Sequence, residues 1–232
     1  MNTSVFQSHP LNRREKIIGA AYFLFETLFL AAIVQWLNRK LPTSLPQAEV
    51  NFLFFAVNFT AVALIFRHYL FGQCRLVRDC VWRILYVTVP GFVVYYLMNF
   101  LLMQVIFALD PDFYSVNDVT IQELVAENFP IMFLGTVILV PIAEETLFRG
   151  LVFRGLHERS PILAWGVSVC LFSLVHITGY IGAYPPAKLF LCFLQYIPAG
   201  ICLAGAYRLS GSLLSPILIH AMVNFQGMMY LR

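Results

Sequence analysis

Long apolar runs that are almost free of charge set the strongest limit on how this chain can fold. A helix needs about 20 such residues to cross the hydrocarbon core of a bilayer. Backbone groups in lipid must also satisfy their own hydrogen bonds, so each run predicts a helix. We therefore predict an all-α, polytopic transmembrane helical bundle of seven spans, or eight if the third or fourth run is divided. The approximate bounds of the runs are 17–37, 50–71, 82–108, 129–156, 162–184, 189–209 and 213–231.

The shortage of charge supports the same class. Only 12% of the 232 residues are charged, and 60% are hydrophobic. A soluble domain carries roughly 25% charged and about 45–50% apolar residues. So few charges cannot cover a water-soluble surface or form the basic face that nucleic-acid binding requires. The composition therefore excludes a soluble enzyme, a disordered chain and a nucleic-acid partner, and it predicts a lipid bilayer as the surroundings.

The distribution of charge between the loops predicts an orientation. Basic residues precede the first run and surround the loop between the second and third runs, whereas the polar segment 109–128 contains five acidic residues and no Lys or Arg. Loops rich in Lys and Arg tend to stay in the cytosol. We therefore predict a cytosolic N-terminus, an external acidic segment and, from the small size of the chain, a bacterial plasma membrane. Arg39, Lys40 and Lys188 fall on external loops in this arrangement and count against it.

The fourth run contains two adjacent glutamates, Glu144 and Glu145, followed by Arg149. Ionisable residues at membrane depth are costly and often mark function. Glu145 and Arg149 are four residues apart on one helix face, in the order that favours a salt bridge. That pairing would leave Glu144 free to act as a general base. The alternative is a buried ionic network that only fixes helix packing.

Two later runs contain polar residues at a similar predicted depth. His176 lies in the fifth run, and His220 and Asn224 share one helix face in the seventh. Taken singly, a packing histidine and an interhelical hydrogen bond would explain them. Together with Glu144 they place a base, two imidazoles and an amide between helices at mid-membrane. These groups can activate a water molecule and stabilise an oxyanion. Glu and His are also usable zinc ligands.

The order of these residues resembles three motifs of the CPBP intramembrane proteases. This family comprises CAAX prenyl proteases and bacteriocin-processing enzymes and is also called Abi. The resemblance covers residues about 129–226, so that 129–232 is the expected catalytic core and 1–128 contributes helices and the acidic segment without a signature. The motifs read Glu144-Glu145-x-x-x-Arg149, Phe172-x-x-x-His176 and His220-x-x-x-Asn224.

The resemblance implies an endopeptidase and a role for each residue. Glu144 and His176 would activate the attacking water, His220 and Asn224 would form the oxyanion hole, and Glu145 with Arg149 would hold the first motif in place. The resemblance leaves open whether the enzyme is a metallopeptidase or a metal-free glutamate peptidase. If zinc is the cofactor, its ligands would be Glu144, His176 and His220.

Two other functions remain compatible with the same residues. One is a membrane partner without proteolytic activity, such as a regulator or a bacteriocin immunity factor. The other is a transporter that uses the glutamate and histidines to carry protons or cations. For a protease, the expected partners are a peptide or membrane-protein substrate and a regulatory membrane protein. Glu26, in the middle of the first run, is expected to be a buried partner of an arginine or a backbone group, or to handle protons or substrate.

Overall fold

The computed structural model describes residues 10–231 and consists of helices joined by short loops, with no β-strand in that range. This confirms the predicted all-α class. Helices α1, α5 and α7 each have the apolar length of a membrane span and also contain polar residues near the candidate site. The eight helices are α1 (Arg13–Asn38), α2 (Gln47–Ile65), α3 (Arg67–Leu109), α4 (Val116–Glu127), α5 (Phe129–His157), α6 (Pro161–Thr178), α7 (Pro186–Ser210) and α8 (Leu214–Leu231).

Six helices of the described chain are long and apolar enough to cross a membrane, namely α1, α2, α3, α5, α6 and α7. The chain is therefore a multi-pass membrane protein, and the described residues contain six such helices where seven to eight spans are predicted. The seventh predicted run does form a helix, α8, of only 18 residues. His220, Asn224 and Gln226 lower its hydropathy below that of a span. It packs against α3, α5 and α7 instead of standing alone in lipid.

Helix α3 is longer than one span and changes direction within its length. It contains 43 residues, and Cys80 departs from helical geometry with φ −135° and ψ 23°. The predicted second run therefore ends earlier than expected, at Ile65, and residues 67–79 form a separate segment before the membrane-crossing part of α3. A sequence pattern of apolar residues does not reveal this bend, because Cys80 itself is compatible with a regular helix.

The first segment of α3 is tied to two other helices by buried polar contacts. The Glu15 carboxylate of α1 accepts a hydrogen bond from the backbone N–H of Tyr69 at 2.9 Å. The hydroxyl oxygens of Tyr69 and Tyr207 lie 2.8 Å apart, which links α3 to α7. These contacts hold the segment against the bundle at the end where the basic loops gather.

The acidic segment folds against the opposite end of the bundle. It forms α4, whose N-terminus is capped by the Ser115 hydroxyl. The Glu127 carboxylate at the end of α4 accepts hydrogen bonds from two backbone N–H groups at the start of α2, at 3.2 and 2.6 Å. Lys188, at the start of α7, lies 4.0 Å from the Asp110 carboxylate and 3.5 Å from the centre of the Tyr114 ring. These contacts tie the start of α7 to the acidic segment.

Helix α6 is shorter than predicted, so His176 lies closer to its C-terminal end. The expected run extends to residue 184, but α6 ends at Thr178. Gly179 and Gly182 follow, and Gly182 has a φ of +87°, which a helix cannot accommodate. His176 therefore lies two residues before the end of its helix, on the side of the acidic segment, and its predicted mid-membrane depth stays a prediction.

Three stretches within α1 and α5 are wound as π-helix. They are Glu26–Leu30, Leu134–Leu139 and Thr146–Phe153. Such stretches are uncommon and occur frequently at functional sites. The third begins immediately after Glu145, so the ordinary helical period does not describe which face the following side chains occupy.

Two glycines of α5 provide a test of the packing between α3 and α5. A Cβ added at Gly150 would lie 2.8 Å from Cε1 of Tyr69, whereas one added at Gly155 meets nothing within 4 Å. Overpacking of this kind costs about 1–3 kcal/mol. We therefore expect Gly150→Ala to lower the melting temperature of the detergent-solubilised protein. Gly155→Ala should leave it unchanged or raise it, since alanine favours helix by about 1 kcal/mol. Equal melting temperatures for the two variants would contradict this packing.

Candidate active site

A fully buried ion pair lies at the centre of the candidate site. Nη1 of Arg149 is 3.0 Å from Oε1 of Glu145, and both side chains are 0% exposed. Nη2 of Arg149 donates to the backbone carbonyl of Gly200 in α7 at 3.3 Å. The guanidinium also lies 4.5 Å from the centre of the Phe172 ring in α6. The predicted pairing of Glu145 with Arg149 is therefore present, and it connects α5 with both α6 and α7.

The same carboxylate holds His220. Nδ1 of His220 lies 2.9 Å from Oε1 of Glu145, which brings α8 to α5. A carboxylate oxygen accepts, so this contact assigns the hydrogen to Nδ1. The other ring nitrogen, Nε2, is then left for the cavity. Sequence reasoning missed this contact, because 75 residues separate the partners.

His176 is held by its own helix and by a tyrosine of α7. Nδ1 of His176 lies 2.7 Å from the backbone carbonyl oxygen of Phe172, which can only accept. Nδ1 therefore carries a hydrogen and Nε2 is left with a lone pair. The imidazole stacks on the ring of Tyr196, with the ring centres 4.1 Å apart and the planes 23° apart. Tyr196 was not among the predicted site residues, since a tyrosine in an apolar run gives no distinctive signal.

Asn224 is fixed from the other side. Its Nδ2 donates to the backbone carbonyl of Thr136 in α5 at 2.8 Å. An amide nitrogen carries two hydrogens, so one remains for a further acceptor. The prediction that His220 and Asn224 share a face agrees with the structure, where both line one cavity.

That cavity has a volume of about 70 Å³ and lies between α3, α6, α7 and α8. It is large enough for water, and its polar lining offers water the partners it needs. Three predicted site residues therefore come together on its wall, although they come from two different runs. Its polar lining residues are Tyr95, His176, Tyr196, His220 and Asn224.

Glu144 lies beside this cavity and does not line it. The residue is only partly buried, and its carboxylate interacts electrostatically with His176 and Arg149. Its Oε2 atom is shielded from solvent and has no hydrogen-bond partner among residues 10–231. A buried carboxylate oxygen without a partner is costly. The predicted role of Glu144 as a general base stays a prediction.

A third carboxylate comes close from the N-terminal half of the chain. Glu26 of α1 interacts electrostatically with Glu144. Asn58 donates to one of its oxygens at 3.4 Å, and the neighbouring Thr27 donates to the other at 3.2 Å. The expected arginine or backbone partner of Glu26 is therefore replaced by an amide and a hydroxyl. Its position in the middle of an apolar run was the signal that could have linked it to the site.

The predicted zinc ligands are Glu144, His176 and His220. Within residues 10–231 there is no group of three His, Cys, Asp or Glu side chains placed to hold a metal ion. A catalytic zinc needs three protein ligands. Nδ1 of His176 is engaged by Phe172 and Nδ1 of His220 by Glu145, which leaves Nε2 of each ring for a ligand. Zinc dependence stays a prediction.

Residues 126–226 match the family model described as Rce1-like, type II CAAX prenyl endopeptidase. All of the predicted site residues lie within the matched segment, and the match confirms the resemblance to the CPBP family. It supports an intramembrane protease activity in general. Neither the curated proteins nor the solved structures include a significant match to the chain.

The buried pair predicts different effects for the two adjacent glutamates. Glu145→Gln or Arg149→Met leaves one charge uncompensated inside the bundle, which should cost about 3–5 kcal/mol. Glu144→Gln removes a carboxylate whose Oε2 lacks a partner, so its melting temperature should stay the same or rise. Thermal unfolding in detergent measures all three, with the exposed Glu123→Gln as the control. Equal destabilisation by all three site variants would show that Glu144 and Glu145 share the pairing with Arg149.

Proposed function

We propose that this protein, with its Rce1-like core at residues 126–226, is an intramembrane endopeptidase in which Glu144 and His176 activate the attacking water. The observation that carries the proposal is the cavity of about 70 Å³ that has His176, His220 and Asn224 in its wall and Glu144 beside it. A carboxylate base close to such hydrogen-bonding side chains supplies the groups that water attack on a carbonyl requires.

The first step is attack of water on the carbonyl carbon of the scissile peptide bond. Glu144 removes one proton from the water, and the lone pair at Nε2 of His176 orients the water through its other hydrogen. The oxygen of the water forms a bond to the carbon, and the electron pair of the C=O bond moves to its oxygen. A positioned general base of this kind contributes about 10²–10⁴-fold to the rate.

The resulting oxyanion needs donors on the opposite side. Asn224 has one amide hydrogen left after its bond to the carbonyl of Thr136. Nδ1 of His220 is engaged by Glu145, and Nε2 is a donor in the protonated ring, where both ring nitrogens carry a hydrogen. Fixed donors in a site closed to bulk water are worth more than they would be in solution.

Collapse of the intermediate completes hydrolysis. Glu144 returns its proton to the leaving nitrogen, the C–N bond breaks, and a carboxylic acid and an amine are released. The Glu145–Arg149 pair takes no part in these transfers and acts as a positioning element, since it holds His220 of α8 and the Gly200 carbonyl of α7.

The substrate we propose is a peptide segment of a membrane-attached protein. Such a segment can approach from the bilayer, in line with the match to the family of CAAX prenyl endopeptidases. We place the protein in a bacterial plasma membrane with a cytosolic N-terminus, on the distribution of basic residues. We also propose that the protein has a regulatory membrane protein as a partner.

The proposal is tested by comparing cellular peptides. Membrane and secreted peptides are identified by mass spectrometry in a strain lacking the gene and in strains restored with the wild type, Glu144→Gln or Glu123→Gln. We expect product peptides with the wild type and Glu123→Gln only. Identical peptide sets with the wild type and Glu144→Gln would contradict the proposal and favour a binding or transport role.

The purified protein provides the corresponding kinetic test. On a cleaved peptide from that comparison, Glu144→Gln and His176→Ala should each reduce turnover by at least about 10²-fold. The double variant should be no worse than either single one, since a base and its partner act as a unit. The same assay after dialysis against a chelator, with and without added Zn²⁺, measures metal dependence directly. A synthetic farnesylated CAAX peptide in parallel shows whether that substrate class is accepted.

A further inference from the structure

The imidazole of His176 is fixed by a hydrogen bond at Nδ1, and one face of the ring contacts Tyr196. Its Nδ1 is bound within its own helix, to the carbonyl of Phe172. Rotation of the ring about its side-chain bonds is limited on the other side by the stacked ring of Tyr196, at 4.1 Å between centres. The direction in which Nε2 points therefore depends on where Tyr196 is held.

Tyr196 is held by the acidic helix α4. Asn117 donates through Nδ2 to the Tyr196 hydroxyl at 2.9 Å. The hydroxyl in turn lies 3.5 Å from Oδ1 of Asp118, and Gln195 donates to the other oxygen of Asp118 at 3.0 Å. Tyr180 donates to Oδ1 of Asn117 at 3.4 Å. The first turn of α4 thus fixes the Tyr196 hydroxyl while the ring of the same residue contacts His176.

The contact between Asn117 and Tyr196 joins the segment that matches the family model to residues that precede it. Tyr196 and His176 lie within the segment 126–226 that matches the family model, whereas Asn117 and Asp118 lie before it. The hydroxyl contact is therefore a place where the specific N-terminal part of this chain reaches the catalytic core.

We propose that Tyr196 is a positioning residue for His176, and that Asn117 on α4 sets its position through the tyrosine hydroxyl. The proposal rests on the proposed function, in which Nε2 of His176 orients the attacking water. A substrate or partner that displaces α4 would then alter the orientation of this imidazole without touching it.

Asn117→Ala gives the sharpest test, because no hydrogen bond or ring contact joins Asn117 to His176. The full-length protein is labelled with ¹⁵N-histidine in lipid nanodiscs, and the His176 signals are assigned by their loss in His176→Gln. We expect Asn117→Ala to shift these signals, and Tyr196→Phe, which keeps the ring but not the hydroxyl, to shift them similarly. In the Tyr196→Phe background, Asn117→Ala should cause no further shift of the His176 signals. The matched control is Glu123→Gln on the same helix, which should leave the His176 signals unchanged.

Kinetics with a cleaved peptide provide a second readout. Asn117→Ala and Tyr196→Phe should each lower kcat by roughly 2- to 30-fold with KM unchanged, which is the usual range for residues that act through a network. Tyr196→Leu removes the stacked ring and should lower kcat by about 10²-fold. Tyr196→Phe should recover most of the loss caused by Tyr196→Leu.

The His176 signals and kcat together distinguish failure of the proposed function from failure of the positioning role. If the wild type cleaves no peptide but Asn117→Ala shifts the His176 signals, the proposed function fails and the positioning role stands. If Asn117→Ala, in a protein that unfolds at the wild-type temperature, changes neither the His176 signals nor kcat, the positioning role is overturned. An additive effect of Asn117→Ala on Tyr196→Phe would also overturn it, since the hydroxyl would not be the link.

Discussion

The buried pair of Glu145 and Arg149 is the interaction on which the rest of the site depends. Its two charges are fully enclosed, and each has a second contact, Glu145 to His220 and Arg149 to the Gly200 carbonyl. Burial of a charge is tolerated only when it is paired and hydrogen-bonded. The ion pair lies entirely on α5, and separating α7 or α8 from α5 would remove the additional hydrogen bonds that satisfy its buried charges.

The same interaction accounts for polar residues in α8, the helix of the seventh apolar run. His220 must reach Glu145, and Asn224 must reach the carbonyl of Thr136. Both contacts face α5, and neither would form if α8 were surrounded by lipid. The polar face lowers the hydropathy of the helix and at the same time supplies two residues of the cavity wall.

The N-terminal half, which has no motif, also contributes to the site. Glu15 fixes the start of α3, Glu26 comes close to Glu144, and Asn117 holds the tyrosine that stacks on His176. The matched segment contains all the predicted site residues, and residues outside it contact their surroundings.

The sequence by itself determined the membrane class, the residue types of the site and the Glu145–Arg149 pair. Each depends on composition or on neighbours within four residues, where helical geometry dictates the contact. Only the tertiary structure decided that His220 binds Glu145, that Tyr196 stacks on His176 and that α6 ends at Thr178. Contacts between residues 75 positions apart depend on how helices cross and where they bend, and no periodicity of a single helix encodes that.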